Sequence, residues 1–583
     1  MSEEIAATPA KRELSNPGSP ETKPTAKKQD TENKDVTGLE LSTASDKQST
    51  TANEEKPKFK REKQPPKPKK RKYKAKDVDE TSPAGVLQFE IAEILEENQL
   101  TENDIANDIS SILNSSEAYH NYHREVEHAE IIKLTSNGDG LALIANPVET
   151  QKKQIVIVPF AIKGDIVTIR VFKTHPNYVE SDLLKIETGG PDRDNSLIRC
   201  EYFGKCSGCQ YQQLTYDTQL LYKKQTIENA YKFLAPKLQI PEVLETIPSP
   251  KQFSYRTKLT PHFDISKRVP QVEQPMFGFG AKGKSNWRET RGGDKSIVDI
   301  EECIIGTQMV NIGMANERKR FETTWKNYKK SATILLRENT KVIKDLQTPV
   351  EQQLDPASTD SNDKISYIEE TSGEDKLAKT CVTETRQIVT EYINGFTFEF
   401  CAGEFFQNNN SILPKVTEYV CSNLQIPRPE GTPLYLVDAY CGSGLFSITA
   451  SKGVDKVVGV DVSKESIRFA KMNAERNNVK NAVFIDGKAE KIFNEIDTPN
   501  DLTSIIIDPS RKGCDLVFLN QLSAYKPAKI VYVSCNVHSQ ARDLQQFLLE
   551  TENGHEYKIE SLRGFDFFPQ THHVESVVVL SRV

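Results

Sequence analysis

LYLVDAYCGSGLFSITASKGVDKVVGVD, residues 434–461, sets an apolar run, a glycine-containing turn, a short helical stretch and a second apolar run that ends in an acid. The same alternation continues downstream. Strand-like runs AVFI (482–485), SIIID (504–508) and KIVYVS (529–534) are separated by polar helical segments, and VVVL (577–580) closes the series. Strands that are apolar along their whole length and joined by helices are buried on both faces, which predicts a doubly wound, mostly parallel α/β sheet from about residue 396 to the end.

Ligands of such sheets bind beyond the carboxyl ends of the strands, where the strand order switches. After the first strand, Gly442 and Gly444 let the backbone approach a ligand. The third position of a dinucleotide fingerprint is Ser447, which disfavours nicotinamide without excluding it. Asp461 ends the second strand, nineteen residues after Gly442, where an acid accepts hydrogen bonds from ribose hydroxyls. Ser463 is placed to cap a helix with Ile467, Ala470 and Ala474 on one face. Together these features point to an adenosine-containing ligand, although Asp461 alone also fits an ordinary strand-end turn.

The fourth strand delivers DPSRKG (508–513), the fifth SCN (534–536), and DFFPQTHHVE (566–575) leads into the last. A cysteine at a strand end in the crevice stands where a nucleophile belongs, although buried cysteines usually act as small hydrophobes. Glu575 is expected at the mouth of the same sheet, where a lone acid is commonly just solvated.

With FFQNN (405–409), DAYCGSGLF, DPSRKG, VYVSCN and DFFPQTHHVE in this order, the chain resembles the S-adenosylmethionine-dependent RNA (uracil-5-)methyltransferases. The resemblance implies a Rossmann-like methyltransferase domain in which Gln407, Tyr440, Asp461 and Asp508 contact S-adenosyl-L-methionine, Cys535 is the nucleophile and Glu575 the base. The chemistry needs those residue types. Uracil carbon 5 is too poor a nucleophile to take a methyl group until a thiolate adds to carbon 6, and a carboxylate must then remove the carbon 5 proton. A free thiol is only a few per cent ionised at neutral pH, so a nearby cation or donor is expected to lower its pKa; Arg511 is a candidate for that or for the target nucleotide's phosphate, and the sequence does not choose. The target base must be flipped out of folded RNA. Ser510 replaces a motif proline, Val537-His538 follow Asn536 where proline is usual, and Asp461 stands where Glu is commoner; none of these removes a reacting group.

Upstream, IIKLTSNGDGLALIA (131–145) and QIVIVPFAIKGDIVTIRVFK (154–173) are β-rich runs broken by Asn-Gly, Asp-Gly and Gly-Asp turns, predicting a small OB-like barrel over 128–190. With VPFAIKGDIV it resembles the TRAM domain, an RNA-binding barrel of RNA-modifying enzymes. Residues 84–127 are expected to form short amphipathic helices and 191–395 an α+β central domain, with the polar stretch 345–378 read as a loop. In the central domain Cys200, Cys206 and Cys209 read C-x5-C-x2-C, and Cys303 follows. Four thiolates suit zinc or an iron-sulfur cluster, and spacing alone does not separate them. The resemblance implies a [4Fe-4S] cluster, structural because methyl transfer moves no net electrons; unliganded thiols are the alternative.

Apolar residues make up 37% of the 583-residue chain and the net charge is −7, which disfavours nucleic acid only if charge is evenly spread. It is not: Lys56 to Lys76 carries twelve Lys or Arg and one acid, Glu62. Residues 1–83 therefore read as a disordered Lys-rich tail, either a solubilising or nuclear-localising segment or a phosphate contact. No apolar run reaches the roughly 18 residues that span a bilayer, and no secretory signal opens the chain, so a monomeric intracellular protein of the cytoplasm or nucleus is expected. The extension is similar to that of fungal family members acting on position 54 of tRNA, which makes tRNA the expected partner. The alternatives are ribosomal RNA as substrate, and an inactive RNA-binding scaffold.

Overall fold

The computed structural model describes residues 70–75, 77–265, 272–284, 296–354, 365–487, 493 and 496–583. Residues 69–583 form one compact unit; most of the Lys-rich tail lies outside the described residues. Among the described residues no helix is long and apolar enough to cross a membrane.

Five strands, Glu125–Leu134, Gly140–Ala145, Lys153–Val158, Val179–Thr188 and Ile166–Thr174, close into a barrel in that spatial order. Alternation along each strand builds it. Ala142, Ile144, Val156, Val158, Val167 and Ile169 fill the inside, while Leu141 and Ile155 point outward to meet Leu87, Ile91, Ile94 and Leu95 of the Pro83–Glu97 helix. That helix starts where the sequence allows, with Ser82 accepting a hydrogen bond from the Gly85 amide and proline in the first turn. The short helices expected over the rest of 84–127 are three, Glu102–Ile105, Ile109–Asn114 and Ser116–Tyr122. The chain breaks at Ala106 because Asn107 is taken by the barrel: its amide donates to the Pro176 carbonyl, and its side chain to that of His175. Order also begins before the expected boundary at 83, with Thr81 buried and its amide and hydroxyl both bonded to Asp79.

The catalytic segment forms an eight-stranded sheet ordered Ala482–Asp486, Lys456–Asp461, Tyr435–Ala439, Thr503–Ile507, Lys529–Ser534, Glu575–Arg582, Tyr557–Phe565, Leu244–Ile247. The first five are parallel and Glu575–Arg582 runs antiparallel between two neighbours. Successive residues feed two cores on opposite faces: Leu436, Val457, Ile506 and Val531 enter one, Val437, Val458, Ile505 and Ile530 the other. This is the doubly wound sheet the apolar runs predicted. The order reverses between Tyr435–Ala439 and Thr503–Ile507, so the crevice lies between the ends of those two strands.

The central segment is fused to this sheet. Leu244–Ile247 is its edge strand, and Ile227, Ala230, Tyr231 and Leu234 of the Tyr216–Leu234 helix belong to one of its cores. Part of the polar stretch read as a loop is a hairpin: Ile368–Ser372 and Asp375–Val382 pair through Ser372 and Asp375, and the second strand pairs along its length with Leu336–Ile343. Leu377, Ala378 and Val382 are buried, and Lys379 reaches in to the buried Glu338 carboxylate (2.9 Å). A single buried face on a polar hairpin leaves too few apolar positions for a clear alternation. Residues 355–364 of that stretch lie outside the described residues.

Candidate active site

Three residues of the turn after Tyr435–Ala439 are left-handed, Tyr440 at φ +67°, Gly442 at +54° and Gly444 at +90°. The two glycines do different jobs. A Cβ on Gly444 would lie 3.1 Å from Ile448 Cδ1, so this glycine permits helix packing; at Gly442 nothing of the protein lies within 4 Å, and the turn is open to a ligand. Gly442 N donates to Asp461 Oδ2 (3.0 Å) and Ser463 N to Asp461 Oδ1 (2.7 Å). The Asp461 carboxylate thus braces the glycine turn, a role beyond the ribose contact expected of it, and its second lone pairs are what remain for a hydroxyl. Beneath the turn, Asp438 is fully buried, accepts the Ser447 hydroxyl at 2.5 Å, and is pushed up to about 7 by burial. The Tyr440 ring packs edge-on against Phe518 at 5.5 Å.

Asp508 follows the fourth strand, with its carboxyl pushed well above the usual range by burial and by Glu575 and Asp438. The turn after it is tied to the helix that follows Cys535. The Arg511 carbonyl accepts from Asn536 Nδ2 (2.9 Å) and Ser539 Oγ (2.8 Å), and the Lys512 carbonyl from Arg542 (2.7 Å). Asn536 also caps that helix by accepting the His538 amide, which explains why Val537-His538 can stand in place of proline.

Ser534 pairs with Ser576 on the neighbouring antiparallel strand. One residue further out, Cys535 therefore stands opposite Glu575, and both line one cavity of about 530 Å³ with Gln407, Arg511, Phe568 and His573. That volume is in the range of small-ligand sites. Glu575 is 3% exposed and pushed up to about 7 by burial, with Arg511 opposing. Cys535 is pushed up to about 12 by burial, then by Glu575 and Asp508, while Arg511 acts the other way. The expectation that a cation lowers this thiol is right about Arg511 and wrong about the balance: burial and two carboxyls outweigh one exposed guanidinium.

The segment entering Glu575 is clamped. Lys223, fully buried, pairs with buried Asp566 and donates to the Phe568 carbonyl (3.0 Å). Gln219 and Gln570 exchange hydrogen bonds (Nε2 to Oε1, 3.1 Å; Gln570 N to Gln219 Oε1, 2.9 Å). Asn409 of the FFQNN segment donates to the Phe567 carbonyl (3.0 Å), joining the Gln407 strip to the same loop.

Of the expected site residues, the structure brings Cys535, Glu575 and Gln407 to one cavity and links Asp508 to them electrostatically; Tyr440 and Asp461 sit at the glycine turn and do not line that cavity. Sequence reasoning assigned no role to His573, Phe568, Arg256 or Asp438. His573 and Phe568 stand within the quoted FPQTHHVE motif, which was the available signal; Arg256, whose guanidinium lies 5.9 Å from the Phe568 ring, had none.

Cys200, Cys206, Cys209 and Cys303 also line this cavity. Their thiols are pushed up by burial, and neighbouring thiols add to the effect at Cys206 and Cys209. Among the described residues, however, no three His, Cys, Asp or Glu side chains are grouped to hold a metal ion. The quartet shares a cavity without forming a ligand shell, so the geometry does not support the expected cluster or zinc.

The switch-point glycine turn, the strand-end acids and the cysteine-carboxyl pair define a Rossmann-like methyltransferase joined to an OB-like barrel. Residues 342–583 match the tRNA (Uracil-5-)-methyltransferase family model, and residues 120–184 match the TRAM domain. The chain is 56% identical over 535 residues to the tRNA (uracil(54)-C(5))-methyltransferase of Saccharomyces cerevisiae, covering 89% of this chain and 84% of that one. To the Schizosaccharomyces pombe protein of the same description it is 43% identical, covering 79% of each. The crystal structure of Pyrococcus abyssi tRNA (uracil-54, C5)-methyltransferase in complex with S-adenosyl-L-homocysteine shares the fold, with TM-score 0.52 and 23% identity over 78% of this chain and all of that one. The chain belongs to the tRNA (uracil-5-)-methyltransferase family.

Proposed function

We propose that this protein transfers a methyl group from S-adenosyl-L-methionine to carbon 5 of uridine 54 in tRNA, using Cys535 as nucleophile and Glu575 as base. The carrying observation is the register of the two neighbouring strand ends, which sets a thiol opposite a buried carboxyl in one ligand-sized cavity. Names of the fungal relatives, 56% and 43% identical, support the substrate.

When bound, the donor supplies an electrophilic methyl and a positive charge on sulfur. The residues suited to hold it are Gln407, Tyr440, Asp461 and Asp508, and Gly442 leaves room for it. Burial pushes Asp438, Asp508 and Glu575 up, with neighbouring carboxyls adding to it at Asp438 and Asp508, so a sulfonium placed beside them would favour their ionised forms. Cys535, as thiolate, adds to uracil carbon 6 and makes carbon 5 electron-rich; Arg511 favours that ionised form. After methyl transfer, Glu575 takes the carbon 5 proton, the carbon 5–carbon 6 double bond re-forms and Cys535 leaves. Glu575 suits that step because a pKa of about 7 matches the working pH. The barrel supplies an RNA-binding face.

The test is methyl transfer from labelled donor to an unmodified tRNA transcript and to the same transcript with cytidine at position 54. Label in the first alone supports the reading; label in both, or only in ribosomal RNA, overturns the assigned site. For Cys200, Cys206, Cys209 and Cys303 the reading put forward is a structural [4Fe-4S] cluster. Its support is the C-x5-C-x2-C spacing with Cys303 in sequence, since the quartet's arrangement here forms no ligand shell. No step above passes through it. Anaerobically purified protein with about four irons per chain would support it, and iron-free, colourless, active protein would end it.

A further inference from the structure

The Lys-rich tract enters the described structure as Lys70-Arg71-Lys72-Tyr73-Lys74-Ala75, with all six residues exposed. This stretch is fixed in place rather than trailing. Asn114, in the last turn of the Ile109–Asn114 helix beside the barrel, accepts the Arg71 amide (2.8 Å) and donates to the Arg71 carbonyl (3.0 Å). Such a two-way amide clasp fixes backbone and leaves side chains free to face outward. Among the described residues, none of Lys70, Arg71, Lys72 or Lys74 is in an ion pair. Tyr73 is 50% exposed and lies near Tyr178, whose ring stacks on His175 at 4.1 Å.

The direction of the chain beyond this clasp matters most. Asp79 lies near Lys512 and Arg542, and the Thr81 carbonyl accepts from Asn536, the residue after Cys535. Thr81 and Cys535 line one small cavity with Arg511, which also lines the larger one. Six residues lie between Lys74 and Thr81, so the two are at most about 25 Å of chain apart. Lys70 to Lys74 thus lie within that length of chain of the segment that meets Lys512, Arg542 and Asn536 beside Arg511. Asp77, Asp79 and Glu80 are exposed acids on the intervening chain.

A row of unpaired cations with an exposed aromatic ring fits a polyanion carrying stackable bases, which is what folded RNA offers. We infer that residues 70–74 form a contact strip for tRNA, in which Lys70, Arg71, Lys72 and Lys74 meet backbone phosphates and Tyr73 stacks on a base, guiding the RNA from the barrel to Cys535. The inference rests on the proposed tRNA substrate and adds a binding surface outside the catalytic motifs.

The test uses the full chain with all four cations changed to alanine, measuring tRNA affinity at about 50 and 200 mM salt. Four phosphate contacts add a slope near 3 to log Kd against log salt, so over that fourfold step the unaltered protein should lose about 10²-fold more affinity than the variant. Tyr73→Ala should weaken binding by about 5- to 100-fold with little change in slope. Unchanged S-adenosyl-L-methionine affinity certifies the fold of each variant. Equal affinity and equal salt slope in variant and unaltered protein overturn the inference, including the case where the variant only changes cellular distribution. Failure of the tRNA-54 reading is distinguishable: the unaltered protein would then transfer no methyl to tRNA, whatever the strip does to binding.

Discussion

Lys223→Met strikes at the support of the catalytic loop without touching the cavity. The lysine and its partner Asp566 have fully buried side chains. Lys223 also holds the Phe568 carbonyl, while Asp566 accepts the Tyr216 hydroxyl (3.0 Å) and the Phe568 amide (3.1 Å). Removing the cation strands a carboxylate that cannot reach water, a change that costs about 3–5 kcal/mol. The two hydrogen bonds left on Asp566 put the expected loss at the lower end of that range. Removing both charges together, Lys223→Met with Asp566→Leu, should restore most of the stability because the stranded ion is gone. The assay is urea unfolding of the three proteins, with the midpoint shift converted through a shared m-value. Function should not return with stability. Loss of the Lys223 bond to Phe568 and of the Asp566 turn loosens the approach to Glu575, and displacement by about 1 Å can cost about 10² in rate. Because Glu575 acts after the covalent step, the double variant should turn over slowly while accumulating protein-RNA adduct. A single variant that loses less than about 1 kcal/mol, or a double variant no more stable than the single, would refute the reasoning.

Three further outcomes follow from the same geometry. Glu575→Gln should form the covalent adduct and fail to release it, visible as a gel-shifted species that survives denaturation; a folded variant with no adduct removes Glu575 from the base role. The rate should fall as pH drops through 7, by about fivefold between pH 7 and 6 from Glu575 alone and more steeply with the thiolate requirement, since both groups act deprotonated; a flat single-turnover profile over that interval contradicts these roles. Gly444→Ala forces a side chain onto φ +90° and to 3.1 Å from Ile448 Cδ1, and should weaken donor binding at least tenfold by calorimetry through distortion of the turn that Asp461 braces.

The sheet was legible because burial on both faces leaves no room for polar residues. Each of the runs at 435–439, 456–461, 503–507 and 529–534 is apolar enough to be read directly, and a serine cap opens the Lys464–Arg476 helix as its position suggested. The Ile368–Val382 hairpin escaped because one buried face on a charged hairpin looks like a loop. Lys223 escaped for a related reason: on a helix with many polar residues a lysine reads as solvent-facing, and only the fold shows it turned inward onto Asp566. The strand-end placement of Cys535 and Glu575 came from the apolar runs beside them, but the sign of the thiol's shift did not, because burial and the combined effect of Asp508 and Glu575 are properties of the assembled site.

The account stands on a transient bond between Cys535 sulfur and uracil carbon 6. A tRNA transcript carrying 5-fluorouridine lacks the proton that Glu575 removes, so with S-adenosyl-L-methionine present the complex should be trapped after methyl transfer as one protein-RNA species, with the RNA attached at Cys535 and absent in Cys535→Ala. A preparation that methylates ordinary tRNA yet yields no trapped species, or one attached at another residue, contradicts the account.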